Sequence, residues 1–340
     1  MKKTIDDKKE VTPEKIFQTY SAHMTTAVLV SGVDLEVYTH IKNGYNTAVE
    51  IAMAAQASPR GMEILLNGLV ALNFLTKSSN TYQLTPVAEK FLVKDSPAYL
   101  GDWVQTADMN QKDILHLTEV VKTGKSFSRI EQEQEEGEEY CKKLDPGIFP
   151  VTYPWAKAAA EALEVGKTWK NLDVLDVGAG SGAWSIAFAE LDAGTKATAL
   201  DWPGILEITR KFVDRFGLNE RFSYLSGDML KIDFGREKYD LVILGQICHM
   251  LGAETNQKLF SRIHRSLKRG GKLLISSFIP DDERSSAVMP LLFAALELIS
   301  TTEGNTYTVK EYREWLQGAG FRSIATIDAP GPSPLIIASK

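Results

Sequence analysis

The sequence predicts an α/β protein in which a doubly wound, mostly parallel sheet follows a helical N-terminal domain carrying a small hairpin. Three observations carry that prediction. Strand-like and helix-like runs alternate from Leu172 to the C-terminus. A glycine-rich turn, Val174-Leu-Asp-Val-Gly178-Ala-Gly180-Ser-Gly182, separates the first of those strands from its helix. Upstream, helical patterns are interrupted by a single strand–turn–strand segment near residue 80.

Taken in order, Thr12-Pro13 predicts a first helix, with Thr12 as N-cap and Pro13 at the first helical position. Residues 20–42 read as apolar helix interrupted at Gly32. Residues 47–57 and 58–75 form a second helical pair. In the latter, Met62, Leu65, Leu66, Leu69 and Leu72 recur at helical spacing and mark one apolar face. Two short strands flank the turn Ser78-Ser79-Asn80, and Thr85-Pro86 caps another helix. Helices followed by such a hairpin make a winged-helix unit. The acidic run at residues 131–139 reads as a solvated face. Asp145-Pro146-Gly147 predicts a break, and the alanine-rich stretch 156–163 a connecting helix. The predicted division is therefore 1–150 for the helical domain, 151–170 for the connector and 171–340 for the α/β domain. In that last part seven strands are expected, at 172–177, 195–201, 222–226, 239–244, 272–278, 322–329 and 334–338. The final two are close enough to pair as a hairpin, which places one antiparallel strand in the sheet. Thr308 and Glu311 have the spacing of a capping box for the last helix.

Composition narrows the functional classes. At 340 residues, with 44% hydrophobic and 24% charged residues, the chain has apolar material for two globular cores. The net charge of −6 argues against a nucleic-acid partner. Residues 1–150 hold 16 Lys and Arg against 21 Asp and Glu, and the would-be recognition helix has only Arg60, close to Glu63. Dimerisation is the better use for an apolar, non-basic helical domain. Two distant cysteines, Cys141 and Cys248, supply neither a disulfide framework nor a metal cluster, so no metal is expected. Residues 1–10 are charged and no stretch approaches the ~20 apolar residues of a span, so no membrane partner and a cytoplasmic location are expected.

The glycine loop is the sharpest motif. Its spacing is G-x-G-x-G, not the G-x-G-x-x-G of dinucleotide sites. Asp176 lies two residues before its first glycine. Asp201 stands at the end of the second strand, where a carboxylate can accept both ribose hydroxyls. Asp228 follows the third strand and can reach an adenine amino group, with Met229 against the ring face. Three acids around one glycine loop, Asp176, Asp201 and Asp228, fit an adenosyl ligand that carries no phosphates.

With these residues in view, the chain resembles the class I S-adenosylmethionine-dependent O-methyltransferases, the family of caffeate-type plant enzymes and of bacterial polyketide and carotenoid enzymes. The resemblance is carried by LDVGAGSG, LDWPGIL, SGDML, ICHML and RGGKLLI in order, and by LLNGLVALNFLTKSSNTYQLTP in the N-terminal part. It implies a seven-stranded Rossmann-like sheet, a winged-helix dimerisation domain and a homodimer. It implies S-adenosylmethionine as cofactor, with S-adenosylhomocysteine as product. It also implies Gly178 and Gly180 along the methionine end, Trp202 beside the ribose, and Gly245 and Gln246 near the methionine or sulfonium end.

Methylation of a phenol or enol needs a group that removes its proton, and histidine suits that task near neutral pH. Of five histidines only His249 follows the fourth strand, at the carboxyl edge of the sheet, where it matches the family's catalytic base. The glutamates that flank this base in the plant enzymes are missing. Ser276-Ser277 and Asn305-Thr306-Tyr307 stand near their places, with Glu303 the nearest carboxylate, and Met250 replaces an acid after the histidine. Phe149, Tyr153, Met250 and Phe293 are expected to line a flat apolar substrate site, with Trp155, Phe278 and Met289 as further candidates. The expected activity is O-methylation of a small aromatic, enolic or polyketide-like metabolite. Non-methylating or C-methylating chemistry with the same cofactor is the alternative, and a winged-helix regulator comes last.

Overall fold

The computed structural model describes residues 11–130 and 134–340, the side chains of 108–110 excepted. The charged residues 1–10 and the first three residues of the acidic run lie outside that description. The chain divides into two compact units that meet between Ala107 and Asp108.

The first unit contains α1 (Glu14–Asp34), α2 (Val37–Lys42), α3 (Ala48–Ala54), α4 (Pro59–Ala71), β1 (Leu75–Ser78), β2 (Thr81–Leu84), α5 (Pro86–Phe91) and α6 (Gly101–Gln105). The hydroxyls of Thr47, Ser58 and Thr85 accept from the third backbone N–H of α3, α4 and α5, which fixes where each helix starts. β1 and β2 pair antiparallel from Leu75↔Leu84 to Ser78↔Thr81. Met62, Leu66 and Leu69 of α4 are buried with Val37, Tyr38, Ile51 and Tyr82, as the helical spacing predicts. Two details differ from expectation. α1 begins at Glu14 with no side-chain cap from Thr12. The interruption falls at Leu35–Glu36, not Gly32, because Glu36 takes a left-handed φ of 49° while Gly32 stays helical under the Tyr38 hydroxyl.

The second unit opens with α7 (Ala107–Ile114), α8 (Leu117–Thr123) and α9 (Gln134–Ala162). The α/β part follows as β3 (Asp173–Val177), α10 (Ala183–Leu191), β4 (Lys196–Asp201), α11 (Pro203–Arg215), β5 (Phe222–Ser226), β6 (Tyr239–Gly245), α12 (Ala253–Ser266), β7 (Leu267–Ser276), α13 (Val288–Ser300), α14 (Val309–Gly318), β8 (Ile324–Ile327) and β9 (Leu335–Ser339). The strand order is β5-β4-β3-β6-β7-β9-β8, with β9 antiparallel to both neighbours and the other pairings parallel.

The sheet is buried on both faces, and alternate residues serve opposite cores. Val174, Leu241 and Ile243 pack with Ala156 and Ala159 of α9, Ile186 of α10 and Phe212 of α11. Leu175, Val242 and Leu244 pack with Phe260 and Ile263 of α12 and Tyr312 and Leu316 of α14. The predicted capping box of α14 is present, Thr308 accepting from Glu311 N and Glu311 from Thr308 N.

The break expected at Asp145-Pro146-Gly147 is absent. α9 runs through Pro146, Pro150 and Pro154, so residue 150 lies inside a helix. Each proline removes a helical hydrogen bond. The burial of Phe149, Thr152, Ala156, Ala159 and Ala160 holds the helix together despite those losses. No helix among the described residues is long and apolar enough to cross a membrane.

Candidate functional site

From β3 the chain winds outward through β4 to β5 on one side and through β6 to β7 on the other. The crevice at the carboxyl ends of β3 and β6 is thus a topological switch point, the usual ligand position in such sheets. The glycine loop lies there. Gly178 and Gly180 have φ of +68° and +53°, and a Cβ on Gly178 would fall 2.3 Å from Ile247 Cδ1. Backbone conformation and close approach together exclude a side chain.

The three predicted acids do different things. Asp201 accepts from Gly180 N (2.9 Å, Oδ2) and Trp202 N (2.7 Å, Oδ1), which aims it along the loop. Burial pushes its carboxyl up to about 6, against the pull of those two bonds. Asp228 Oδ1 accepts from Leu230 N, and Lys231 lies 3.0 Å from Oδ2. Asp176 is 1% exposed. Its Oδ2 takes both the N–H and the hydroxyl of Ser185, so it caps α10 from beneath, and burial pushes it up to about 7. Met229 is half-buried on a turn that sequence reasoning left unsupported. The Arg262 guanidinium on α12 donates to the carbonyls of Met229 and Leu230 (2.9 and 2.8 Å) and also to that of Ile232. Trp202 packs on Gly137 at the start of α9, where an added Cβ would lie 2.1 Å from its ring, and Glu138 accepts from Gly204 N.

At the end of β6, Gly245 lies under the Trp184 indole. A Cβ there would lie 2.3 Å from Cδ1 and 2.4 Å from Nε1. Gly245→Ala is therefore expected to destabilise the protein by about 1–3 kcal/mol, as overpacked core sites do. A urea midpoint equal to that of the wild type would refute the close approach. Gln246 adopts φ +66°, unusual for a residue with a side chain. Its Nε2 donates to Ser276 Oγ at 2.8 Å, while Oε1 is buried without a hydrogen-bond partner among the described residues. Strain and an unsatisfied acceptor at a switch point are features of ligand sites.

His249 sits in the short turn Cys248–Met250 after β6 and is 5% exposed. Its Nδ1 is 3.2 Å from Ser277 Oγ, and its Nε2 is 4.0 Å from Glu297 Oε1. Glu297, also 5% exposed, comes from α13, a helix that the sequence reading did not assign. The histidine therefore has a nearby carboxylate, supplied by a helix 48 residues further along the chain. Burial pushes the His249 imidazole down to about 3. Asn305, which stands near the second missing glutamate, donates its backbone N–H to the His249 carbonyl.

The predicted substrate side chains separate into two groups. Phe293 meets the His249 ring edge-on at 4.9 Å and stacks on Phe278 at 3.9 Å. Met250 is half-buried in the histidine's own turn. Phe149 and Tyr153 are not brought to this cluster. They stack on each other, and both contact Phe216 of the α11 region, with Phe149 also on Phe212. The uninterrupted α9 turns them onto α11, whereas Phe278, also a candidate from the sequence, stacks on Phe293 beside the histidine.

Among the described residues no group of three or more His, Cys, Asp or Glu could hold a metal ion. The crevice does fit an adenosyl cofactor with an amino-acid tail. It offers a left-handed glycine cradle, two acids on successive strands, and two buried acceptors without hydrogen-bond partners, Gln246 Oε1 and Asp145 Oδ2.

Comparison with known proteins agrees. Residues 98–322 match the model of an O-methyltransferase domain and residues 17–94 that of an O-methyltransferase dimerisation domain. The chain is 27% identical to the tetracenomycin polyketide synthesis 8-O-methyl transferase of Streptomyces glaucescens, over 96% of this chain and 97% of that one. It is 26% identical to the 3-hydroxy-5-methyl-1-naphthoate 3-O-methyltransferase of Streptomyces sahachiroi, over 93% and 92%. In fold it is similar to human N-acetylserotonin methyltransferase solved with S-adenosylmethionine, with a TM-score of 0.85 at 21% identity over 98% and 99% of the two chains.

Proposed function

The chain belongs to the O-methyltransferase family, and from that premise we propose that it methylates a hydroxyl of a small aromatic, enolic or polyketide-like metabolite, with His249 as general base. It is an S-adenosylmethionine-dependent enzyme, and the bound cofactor supplies an electrophilic methyl group on a sulfonium. The observation that carries the finer reading is His249 at the end of β6, held between Ser277 and Glu297 and faced by the Phe278–Phe293 stack. Relatives named for a naphthoate and for a tetracenomycin polyketide agree with a flat aromatic substrate.

Asp201 would accept the ribose hydroxyls, with Trp202 beside it, and Asp228 the adenine amino group against Met229. The backbone at Gly178 and Gly180, with Gly245 and Gln246 opposite, would line the methionine end. Asp176 supports the loop through Ser185. With the proton on Nδ1 donated to Ser277 Oγ, Nε2 is left as an acceptor for the substrate's hydroxyl proton. The substrate oxygen, relieved of its proton, would then be free to take the cofactor's methyl group, the carbon–sulfur electron pair leaving on the sulfur of S-adenosylhomocysteine. Glu297 offsets the positive charge that His249 gains. The missing plant glutamates, which favoured a non-methylating reaction, are compensated by this carboxylate.

Homodimerisation through the first unit completes the proposal. Its support is the match to a dimerisation domain and the exposure of Ile16, Phe17 and Tyr20 on α1. To test the reaction, naphthols and hydroxyanthraquinones are incubated with methyl-labelled cofactor. A labelled methyl ether formed with equimolar S-adenosylhomocysteine is expected. Conversion of a substrate without any S-adenosylhomocysteine would overturn the reading.

A further inference from the structure

Asp145 has no part in the chemistry described so far. It lies midway along α9, is 7% exposed, and turns its carboxylate onto the glycine loop. A Cβ built on Gly180 would lie 3.2 Å from Oδ1 and 3.3 Å from Oδ2. Oδ2 has no hydrogen-bond partner among the described residues. The charged group that bears on it is Asp201, of the same sign, and its titratable neighbours on α9 are Cys141 and Tyr140. A mid-helix position gives it no help from the helix dipole.

A buried carboxylate without a cation is strongly unfavourable, and proteins normally pair it, protonate it or replace it. Burial and the Asp201 charge hold this carboxyl well above the usual range, so its charged form lacks a cation to balance it. We propose that Asp145 is the counter-charge for the α-ammonium of the cofactor's amino-acid end. The inference rests on the cofactor assignment above and names a residue for one of its charges. S-adenosylmethionine carries three charged groups. Its carboxylate suits the loop amides and the N-terminus of α10. Its sulfonium has no N–H and cannot satisfy an orphaned acceptor. Its ammonium offers both a charge and three donors, which is what Asp145 lacks.

The test is calorimetric binding of S-adenosylhomocysteine, S-adenosylmethionine and 5′-methylthioadenosine to wild type and to Asp145→Asn. The last ligand keeps the adenosine and the sulfur but has no ammonium. Asp145→Asn is expected to weaken the first two by about 10- to 100-fold and to leave methylthioadenosine within about twofold. Equal losses for all three would mean a structural role and overturn the proposal. Loss confined to S-adenosylmethionine would assign the charge to the sulfonium and overturn it too. No loss at all would do the same. Asp145→Ser, smaller and neutral, repeats the measurement should the asparagine variant fold poorly. Wild type that binds none of the three would overturn the cofactor assignment itself, a failure distinct from the others.

Discussion

His249→Ala is expected to lower kcat by about 10²–10⁴-fold while S-adenosylhomocysteine affinity stays within about twofold, the range that general-base loss produces. His249 is the buried imidazole at the end of β6, and its two nitrogens have different surroundings. Ser277 orders Nδ1. Nε2 faces Glu297 across 4.0 Å, longer than a hydrogen bond, so in the proposed mechanism Glu297 would act on the protonated ring by charge. Glu297→Gln should therefore cost less than His249→Ala, and Glu297→Gln in the His249→Ala background should cost almost nothing more. Burial pushes His249 down to about 3, so the accepting neutral form persists as pH falls. The contribution of this group to kcat/KM should stay flat from neutrality down to about pH 4 and be lost only below that. Turnover of His249→Ala within about threefold of wild type would remove it from the mechanism.

Asp201→Ala is expected to weaken S-adenosylhomocysteine binding by about 10²–10⁴-fold. Two ribose hydroxyls donating to one carboxylate make charge-assisted bonds of about 1.5–3 kcal/mol each, and every 1.4 kcal/mol is tenfold. The substitution also frees Gly180 N, so part of the loss comes through the loop. Asp201→Asn keeps one acceptor for Gly180 N while removing the charge and the bond from Trp202 N, so its loss bounds the share that comes through the loop contact. Calorimetry is the measurement, with circular dichroism to verify the fold. An affinity for Asp201→Ala within about threefold of wild type would place the ribose elsewhere.

The sheet and the glycine loop were legible because their signals are local. Alternating β and α runs, a Gly-x-Gly-x-Gly turn and acids at strand ends can be read without knowing what packs where. The partners of His249 were not legible. Glu297 lies 48 residues beyond the histidine. It also sits in Val288–Ser300, a helix apolar on most sides, whose pattern lacks a clear period. Asp176 was placed with the cofactor acids because of its position before the loop, whereas its side chain is taken by Ser185, a fact of tertiary geometry. Asp145 was hidden for a third reason. Asp-Pro-Gly is a strong local signal for a break, and only the packing of α9 on α10 and α11 overrides it.

The proline series in α9 has a mechanical consequence. Pro146, Pro150 and Pro154 recur every fourth residue, so the carbonyls of Lys142, Pro146 and Pro150 all lack their helical donors on one side of the rod. Three missing rungs in succession leave a compliant stretch between two firm ends. One end is bolted to the sheet by Ala156, Ala159 and Ala160; the other lies over Trp202 through Gly137 and Glu138. Flexure is expected to concentrate in that stretch, which carries Asp145, so the Trp202 end of α9 can tilt while the sheet stays fixed. In the proposed site, exchange of spent for fresh cofactor would then be a bending motion that needs no unfolding of α9.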